Sequence, residues 1–255
     1  MDVGYLIDID GIVKIEDEPI PSGVSFVRSL LDHGVPFLFI TNNATRTVGE
    51  NVSLLRRLGM PIGPKHVVTS GLVTAEHIAE TAPDARVYAI GEQGLRDTLA
   101  SKGVVLTDDD PTHVVVALDW SFSYDKMRRA TRAVREGATF IATNIDRTFP
   151  SAEGLIPGAG ALVASIEAAT DVTPMSMGKP YAPIFSYSLS RLGLPRESVY
   201  MIGDRIDTDI NGARDAGIRS ILVLSGVTTR EMLHGDEPYD ICIDSLDELS
   251  WRGPV

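Results

Sequence analysis

The sequence predicts an α/β fold: a doubly wound, Rossmann-like parallel-sheet core with a second α/β domain inserted into it. Three observations predict this. Short apolar runs alternate with amphipathic helical stretches, the pattern of strands joined by crossover helices. The first run, Gly4-Tyr5-Leu6-Ile7, closes on two carboxylates one residue apart, Asp8 and Asp10, and then Gly11. The middle third has its own alternation of strands and helices before the chain returns to its earlier style.

The elements follow in order. The opening apolar run reads as a buried strand, and strand spacing turns Asp8 and Asp10 toward one side. Two carboxylates so close repel unless a cation or a shared proton intervenes. Pro19 and Pro21 mark a loop. Ser22 then reads as the N-cap of a helix to His33, with Val24, Val27, Leu30 and Leu31 on its apolar face. Strands are expected at Val35–Ile40 and Val67–Ser70, and helices at Val48–Leu58 and from Ser70 to Thr81. In the middle third, strands are expected at Arg86–Ile90, His113–Leu118 and Ala138–Ala142. Helices are expected up to Ser101, over Tyr124–Arg135, and up to Ala169. A Gly- and Pro-rich loop fills the stretch before Gly160. Later come helices at Ala182–Leu192 and Thr208–Ala216, the latter started by Asp207 as N-cap, and strands at Ser198–Ile202, Arg219–Leu224 and Tyr239–Ile243. The expected core is residues 1–80 and 174–255, with 81–173 as the inserted domain.

Composition narrows the function. The 255 residues suit one large or two smaller domains, and 44% hydrophobic with 23% charged residues is ordinary for a globular enzyme. A formal net charge of −12 argues against nucleic-acid backbones and anionic membranes as partners. No apolar stretch approaches a membrane span, and no signal-peptide pattern opens the chain. The single cysteine, Cys242, reads as a small buried side chain. These features predict a cytoplasmic protein. Lysine is scarce, found only at Lys14, Lys65, Lys102, Lys126 and Lys179.

Four polar sites share one placement, just past the end of an expected strand or extended segment: Asp8/Asp10, Thr41/Asn42, Lys179 and Asp204/Asp209. In open parallel sheets the ligand crevice lies beyond the carboxyl ends of the strands, so distant segments converge there. Several acids suit a hard divalent cation, and a lysine with a hydroxyl suits an anion. Magnesium (Mg2+) favours a few carboxylates, waters and phosphate oxygens. The inventory reads as a magnesium-dependent phosphoryl site.

Asp8-Ile9-Asp10-Gly11, Thr41-Asn42-Asn43, Gly178-Lys179-Pro180 and Gly203-Asp204-Arg205-Ile206-Asp207-Thr208-Asp209 resemble, in order and spacing, the four motifs of the haloacid dehalogenase (HAD) superfamily. The large insertion resembles the C2-type cap of its NagD-like phosphatases (subfamily IIA). So do Thr69-Ser70, Gly91-Glu92-Gln93-Gly94-Leu95, Ala142-Thr143-Asn144, Pro157-Gly158-Ala159-Gly160 and Thr228-Thr229. The resemblance implies that Asp8 is the nucleophile and Asp10 the general acid and base. It implies a magnesium ion held by Asp8, the backbone carbonyl of Asp10, and Asp204, with Asp209 supporting the metal or ligating it. Thr41, Asn42 and Lys179 would bind the phosphoryl oxygens, with Asn43 and Arg46 at the mouth. Asn144, Asp146, Arg147 and Phe149 would lie in the cap loop facing the substrate.

The expected function is hydrolysis of a small phosphorylated metabolite through an aspartyl phosphate. Phosphoryl transfer or a phosphomutase on the same core, and a binding module without turnover, are the alternatives. The presence of Asp10 argues against a dehalogenase, and the intact Asp8/Asp10 pair argues against a binding module. Dinucleotide binding fails because Val163 stands at the third glycine position after Gly158-Ala159-Gly160. The histidines lack zinc-ligand spacing. A homodimer is left open.

Overall fold

Tyr5, Leu6 and Ile7 place three large apolar side chains in succession, and a strand without polar alternation is covered on both faces. The computed structural model, which describes residues 3–151 and 154–253, has strand Gly4–Ile7 buried throughout. It is an inner strand of a six-stranded sheet ordered Ile241–Ile243, Arg219–Val223, Val199–Gly203, Gly4–Ile7, Phe37–Thr41, Val67–Thr69. It pairs in parallel with Val199–Gly203 on one side and Phe37–Thr41 on the other. The strands that follow it in sequence, up to Thr69, lie to one side, and those from Val199 onward lie to the other. Gly4–Ile7 thus stands where the strand order reverses, the place where doubly wound sheets bind ligands. Asp8 is the first residue past it.

The register aligns the ends. Ile7 lies opposite Ile202 and Phe39, and the Asp8 amide donates to the Ile202 carbonyl at 2.9 Å. Asp8, Thr41 and Asp204 therefore emerge at one sheet edge.

Packing divides the chain into two units. The first comprises Met1–Thr41, Gly49–Val68 and Lys179–Val255, and the second Asn42–Val48 and Thr69–Gly178. These limits differ from the expected 80/81 and 173/174 boundaries. Helix Ser70–Thr81 packs on helix Gln93–Ser101, and Glu76 pairs with Lys102 at 2.6 Å. Strand Met175–Ser176 adds in parallel to Thr139–Ala142. The chain therefore rejoins the first unit at Lys179. An apolar helix face reports that it is covered, not by which neighbour.

The second unit holds a five-stranded parallel sheet ordered Met175–Ser176, Thr139–Ala142, His113–Val116, Arg86–Ile90, Val105–Leu106. Tyr88, Val114, Val116 and Phe140 pack there with Ala130 and Val134 from helix Tyr124–Arg135 and Val163 and Ile166 from helix Ala159–Thr170. The α/β class is as expected, with local differences. The first helix is Pro21–Asp32 with Ile20 at its N-cap, so Pro21 occupies the first turn, where a missing N–H costs nothing, and Ser22 lies inside. The stretch expected as a loop contains an antiparallel hairpin, Thr148–Ser151 with Gly154–Pro157. Asp207 is not an N-cap: it lies within a π-helical turn, Ile206–Ile210, that leads into helix Asn211–Ala216. Its carboxylate pairs instead with Arg205 at 2.8 Å. Among the described residues no helix is long and apolar enough to cross a membrane.

Candidate active site

The site of the first unit is built on the reversal strand. Asp8 is buried, and its Oδ1 accepts from Lys179 Nζ at 2.6 Å. Lys179 Nζ also lies 2.7 Å from Asp209 Oδ1, an ion pair whose angles miss those of a hydrogen bond. Asp209 Oδ2 accepts from the Arg205 amide at 3.1 Å, which fixes the carboxylate across the turn. Asp204 Oδ2 accepts from the Val227 amide at 2.6 Å, while its Oδ1 is buried with no hydrogen-bond partner. Gly226 makes this approach feasible: a Cβ there would lie 1.9 Å from Asp204 Oδ2. Gly11, at φ +79, makes the turn after Asp10, and its carbonyl accepts from Ser225 Oγ at 2.7 Å.

Oxygens of Asp8, Asp204 and Asp209 thus lie within 4.8 Å of one another. At that separation two carboxylates in a medium of effective dielectric 20 repel by about 3–4 kcal/mol. One lysine stands against three acids. Burial pushes the Asp8 carboxyl well above its ordinary range; Lys179 opposes this, and Asp209, Asp204 and Asp10 add to it. Burial, then Asp209, pushes Asp204 up to about 7. Burial disfavours the Lys179 ammonium, but Asp209 and Asp8 outweigh it and hold its pKa above the ordinary lysine value. A cluster so short of positive charge, with one buried carboxylate oxygen unpartnered, fits a hard divalent cation.

Asp10 stands apart from the three acids. Its side chain is 46% exposed, and Oδ1 pairs with the buried ammonium of Lys14. Thr41 is buried at the end of its strand. The remaining expected site residues belong to the second unit. Asn42 Nδ2 donates to both Asp146 carboxylate oxygens, at 3.0 and 3.1 Å. Its carbonyl accepts from Ser70 Oγ at 2.7 Å and Asn144 Nδ2 at 2.8 Å. Asn144 Oδ1 accepts from the Asp146 amide at 3.1 Å. The Asn144 side-chain amide thus ties the Asn42 carbonyl to the turn at Asp146. Asn43 Oδ1 accepts from the Thr45 amide at 2.9 Å and hydroxyl at 2.7 Å, closing a local turn. Phe149 meets Trp120 edge to face, with ring centroids 5.6 Å apart.

Comparison with known proteins gives the family. A model of haloacid dehalogenase-like hydrolases matches residues 5–105, and an HAD-hydrolase-like model matches residues 176–249. The chain belongs to the haloacid dehalogenase-like hydrolases. It is 39% identical to the 5'-nucleotidase YutF of Bacillus subtilis over 96% of each chain. It is 42% identical to an acid sugar phosphatase of Staphylococcus saprophyticus, over 89% of this chain and 88% of that one. A p-nitrophenyl phosphatase from Archaeoglobus fulgidus superposes with a TM-score of 0.91 at 36% identity, covering 96% of this chain and 97% of that one. The NagD-like branch stands, and with it an enzyme of the phosphoric monoester hydrolase class.

The motif reading missed Lys14. Its signal was weak: one charge in the apolar run Ile12-Val13-Lys14-Ile15. The contact of Trp120 with Phe149 has no sequence signal either, since a lone exposed aromatic carries no pattern.

Proposed function

We propose that this HAD hydrolase is a magnesium-dependent phosphatase that hydrolyses a small phosphorylated metabolite through an aspartyl-phosphate intermediate. The observation that carries this reading is Asp8 itself: a buried carboxylate at the reversal strand, paired with Lys179 and crowded by two further acids.

In the first transfer an Asp8 carboxylate oxygen attacks phosphorus, and the bond from phosphorus to the leaving oxygen breaks. Asp10, protonated, gives its proton to that oxygen. In the second transfer Asp10, now ionised, takes a proton from water, whose oxygen attacks phosphorus. The bond from phosphorus to Asp8 breaks, and inorganic phosphate leaves. Such acid–base work is typically worth ~10²–10⁴-fold. Lys179, Thr41 and the Asn42 amide hold the phosphoryl oxygens, where fixed charge and donors matter most as negative charge shifts. Asp8, Asp204, the Asp10 carbonyl and, directly or through water, Asp209 would hold the metal. Bound there, magnesium would neutralise the paired carboxylates and polarise the phosphoryl oxygens.

The second unit is read as the cap that contacts the substrate beyond its phosphate and excludes water. The relatives named for nucleotides and sugar phosphates support a soluble phosphate monoester as the substrate class. The lone cysteine supports a cytoplasmic setting. The test is turnover of p-nitrophenyl phosphate before and after chelation. The reading expects activity to vanish with the metal and to return with magnesium, and full activity after exhaustive chelation would defeat it.

A further inference from the structure

Lys14 is a buried basic group that the proposed reaction leaves unused. It is 5% exposed. Its ammonium pairs with Asp10 Oδ1 and donates to the Glu16 carbonyl at 2.7 Å. The main chain beneath it is fixed as well. The Gly11 amide donates to the Lys14 carbonyl at 2.8 Å, and the Ile20 amide donates to the Val13 carbonyl at 3.0 Å. Lys14 also pairs with Pro19 in the small hairpin Lys14–Ile15 and Glu18–Pro19. The lysine is therefore held at its head and along its backbone.

Asp10 has the opposite character. Its side chain is nearly half exposed and lies outside the acid cluster of Asp8, Asp204 and Asp209. Lys179, the other buried ammonium of this unit, already bridges Asp8 and Asp209. The direction of the Asp10 carboxyl is thus set from Lys14. Ile9, Ile12 and Val13 around it are fully buried, so an apolar side chain at position 14 would suit the packing. Burying an ammonium there instead requires hydrogen-bond acceptors, and Asp10 Oδ1 and the Glu16 carbonyl supply them.

We propose that Lys14 is a positioning residue for the acid–base steps: it fixes the direction from which Asp10 exchanges its proton with the leaving oxygen and then with water. This rests on the reading of Asp10 as the general acid and base. Lys14 itself forms and breaks no covalent bond, and the proton moves only between Asp10 and the reacting oxygens.

Leaving-group dependence tests it. An acidic phenol departs with little protonation, whereas an alkoxide needs a proton. With saturating magnesium, kcat/KM, which reports the first transfer, is measured on p-nitrophenyl phosphate and on glycerol phosphate. The variants are Lys14→Met, Lys14→Arg, Asp10→Asn and the double variant Asp10→Asn/Lys14→Met. Lys14→Met is expected to lose about 10–100-fold on glycerol phosphate, the scale of a misplaced catalytic group, and clearly less on the aryl ester. Lys14→Arg recovers part of the loss, and the double variant is no worse than Asp10→Asn alone. Equal losses on both substrates, or losses that add to those of Asp10→Asn, would make Lys14 a merely structural residue and overturn the proposal. If Asp10→Asn itself shows no leaving-group dependence, the acid–base reading of Asp10 fails and takes the proposal with it. Thermal melting reports whether each variant folds; should Lys14→Met not fold, Lys14→Gln carries the same comparison.

Discussion

Lys179 and Asp8, 171 residues apart in the chain, meet in a buried ion pair of 2.6 Å. The pair joins the two segments of the first unit that the insertion separates, and the proposed reaction gives it a part in both stability and chemistry. Lys179→Met is expected to lower kcat by about 10²–10³-fold, the scale of removing one preorganised donor from a developing charge. In metal-free protein it removes the lysine that faces the three acids, and breaking a buried pair costs about 3–5 kcal/mol. Urea unfolding with and without chelator, beside steady-state rates, checks both effects. A variant with ordinary stability and near-normal kcat would contradict this role.

Metal binding and pH are linked through the acid cluster. The folded, metal-free protein keeps a proton on Asp204 up to about pH 7, whereas the unfolded chain releases it near pH 4. The folded pKa is raised, so this contribution to stability is fully present below about pH 4 and is lost as pH rises toward 7. Asp8 shifts in the same direction. A divalent cation bound among these acids would take the place of these protons. Magnesium is therefore expected to raise Tm more at pH 8 than at pH 5. Equal shifts at the two pH values, or none, would speak against a metal among these acids.

Gly226 gives a more local test. A methyl there would meet Asp204 Oδ2 at 1.9 Å and push it from the Val227 amide. Gly226→Ala is expected to weaken magnesium affinity by about 10–100-fold, as loss of a ligand's supporting hydrogen bond does, and to leave the substrate KM at saturating metal nearly unchanged. Titration of activity against magnesium measures it, and an unaltered metal requirement would sever Asp204 from the metal site.

The cap reading places Phe149 near the part of the substrate beyond phosphate, and Trp120 is its ring neighbour. The pair is edge to face, and Trp120 is 62% exposed. Phe149→Ala and Trp120→Ala are expected to reorder kcat/KM across a panel of nucleotide and sugar phosphates while changing p-nitrophenyl phosphate turnover less. Uniform losses on every substrate would make the pair structural.

What could be read in advance follows from where information is local. Asp8, Thr41 and Asp204 each directly follow or end an apolar strand, so strand periodicity places them at the sheet edge, whereas Lys179 follows a strand of the second unit's sheet and only its ion pairs with Asp8 and Asp209 bring it to them. Asp209 joins them because the turn after Gly203 carries it back, and a π-helical turn at Ile206–Ile210 has no sequence period to announce it. The Lys14–Asp10 pair was illegible because an i, i+4 spacing implies contact in a helix, whereas these residues flank a tight turn. The hairpin at Thr148–Ser151 and Gly154–Pro157 was hidden by its Pro and Gly content, which favours a loop reading. The Met175–Ser176 strand is two residues long, and only its neighbour Thr139–Ala142 reveals it. The hydrogen bonds of Asn144 to the Asn42 carbonyl and from the Asp146 amide are long-range and turn geometry that the order of residues does not show.

The central claim is that Asp8 becomes phosphorylated. Asp10→Asn is expected to slow release of the phosphoryl group, and an aryl ester supplies it with little need for a proton. Acid quench of that variant after mixing with magnesium and phosphorus-labelled p-nitrophenyl phosphate, followed by peptide mass mapping, measures the intermediate directly. The account predicts label on the peptide carrying Asp8, lost in Asp8→Asn and released by hydroxylamine. Label on another residue, or turnover by Asp8→Asn at the rate of the unaltered enzyme, would contradict it.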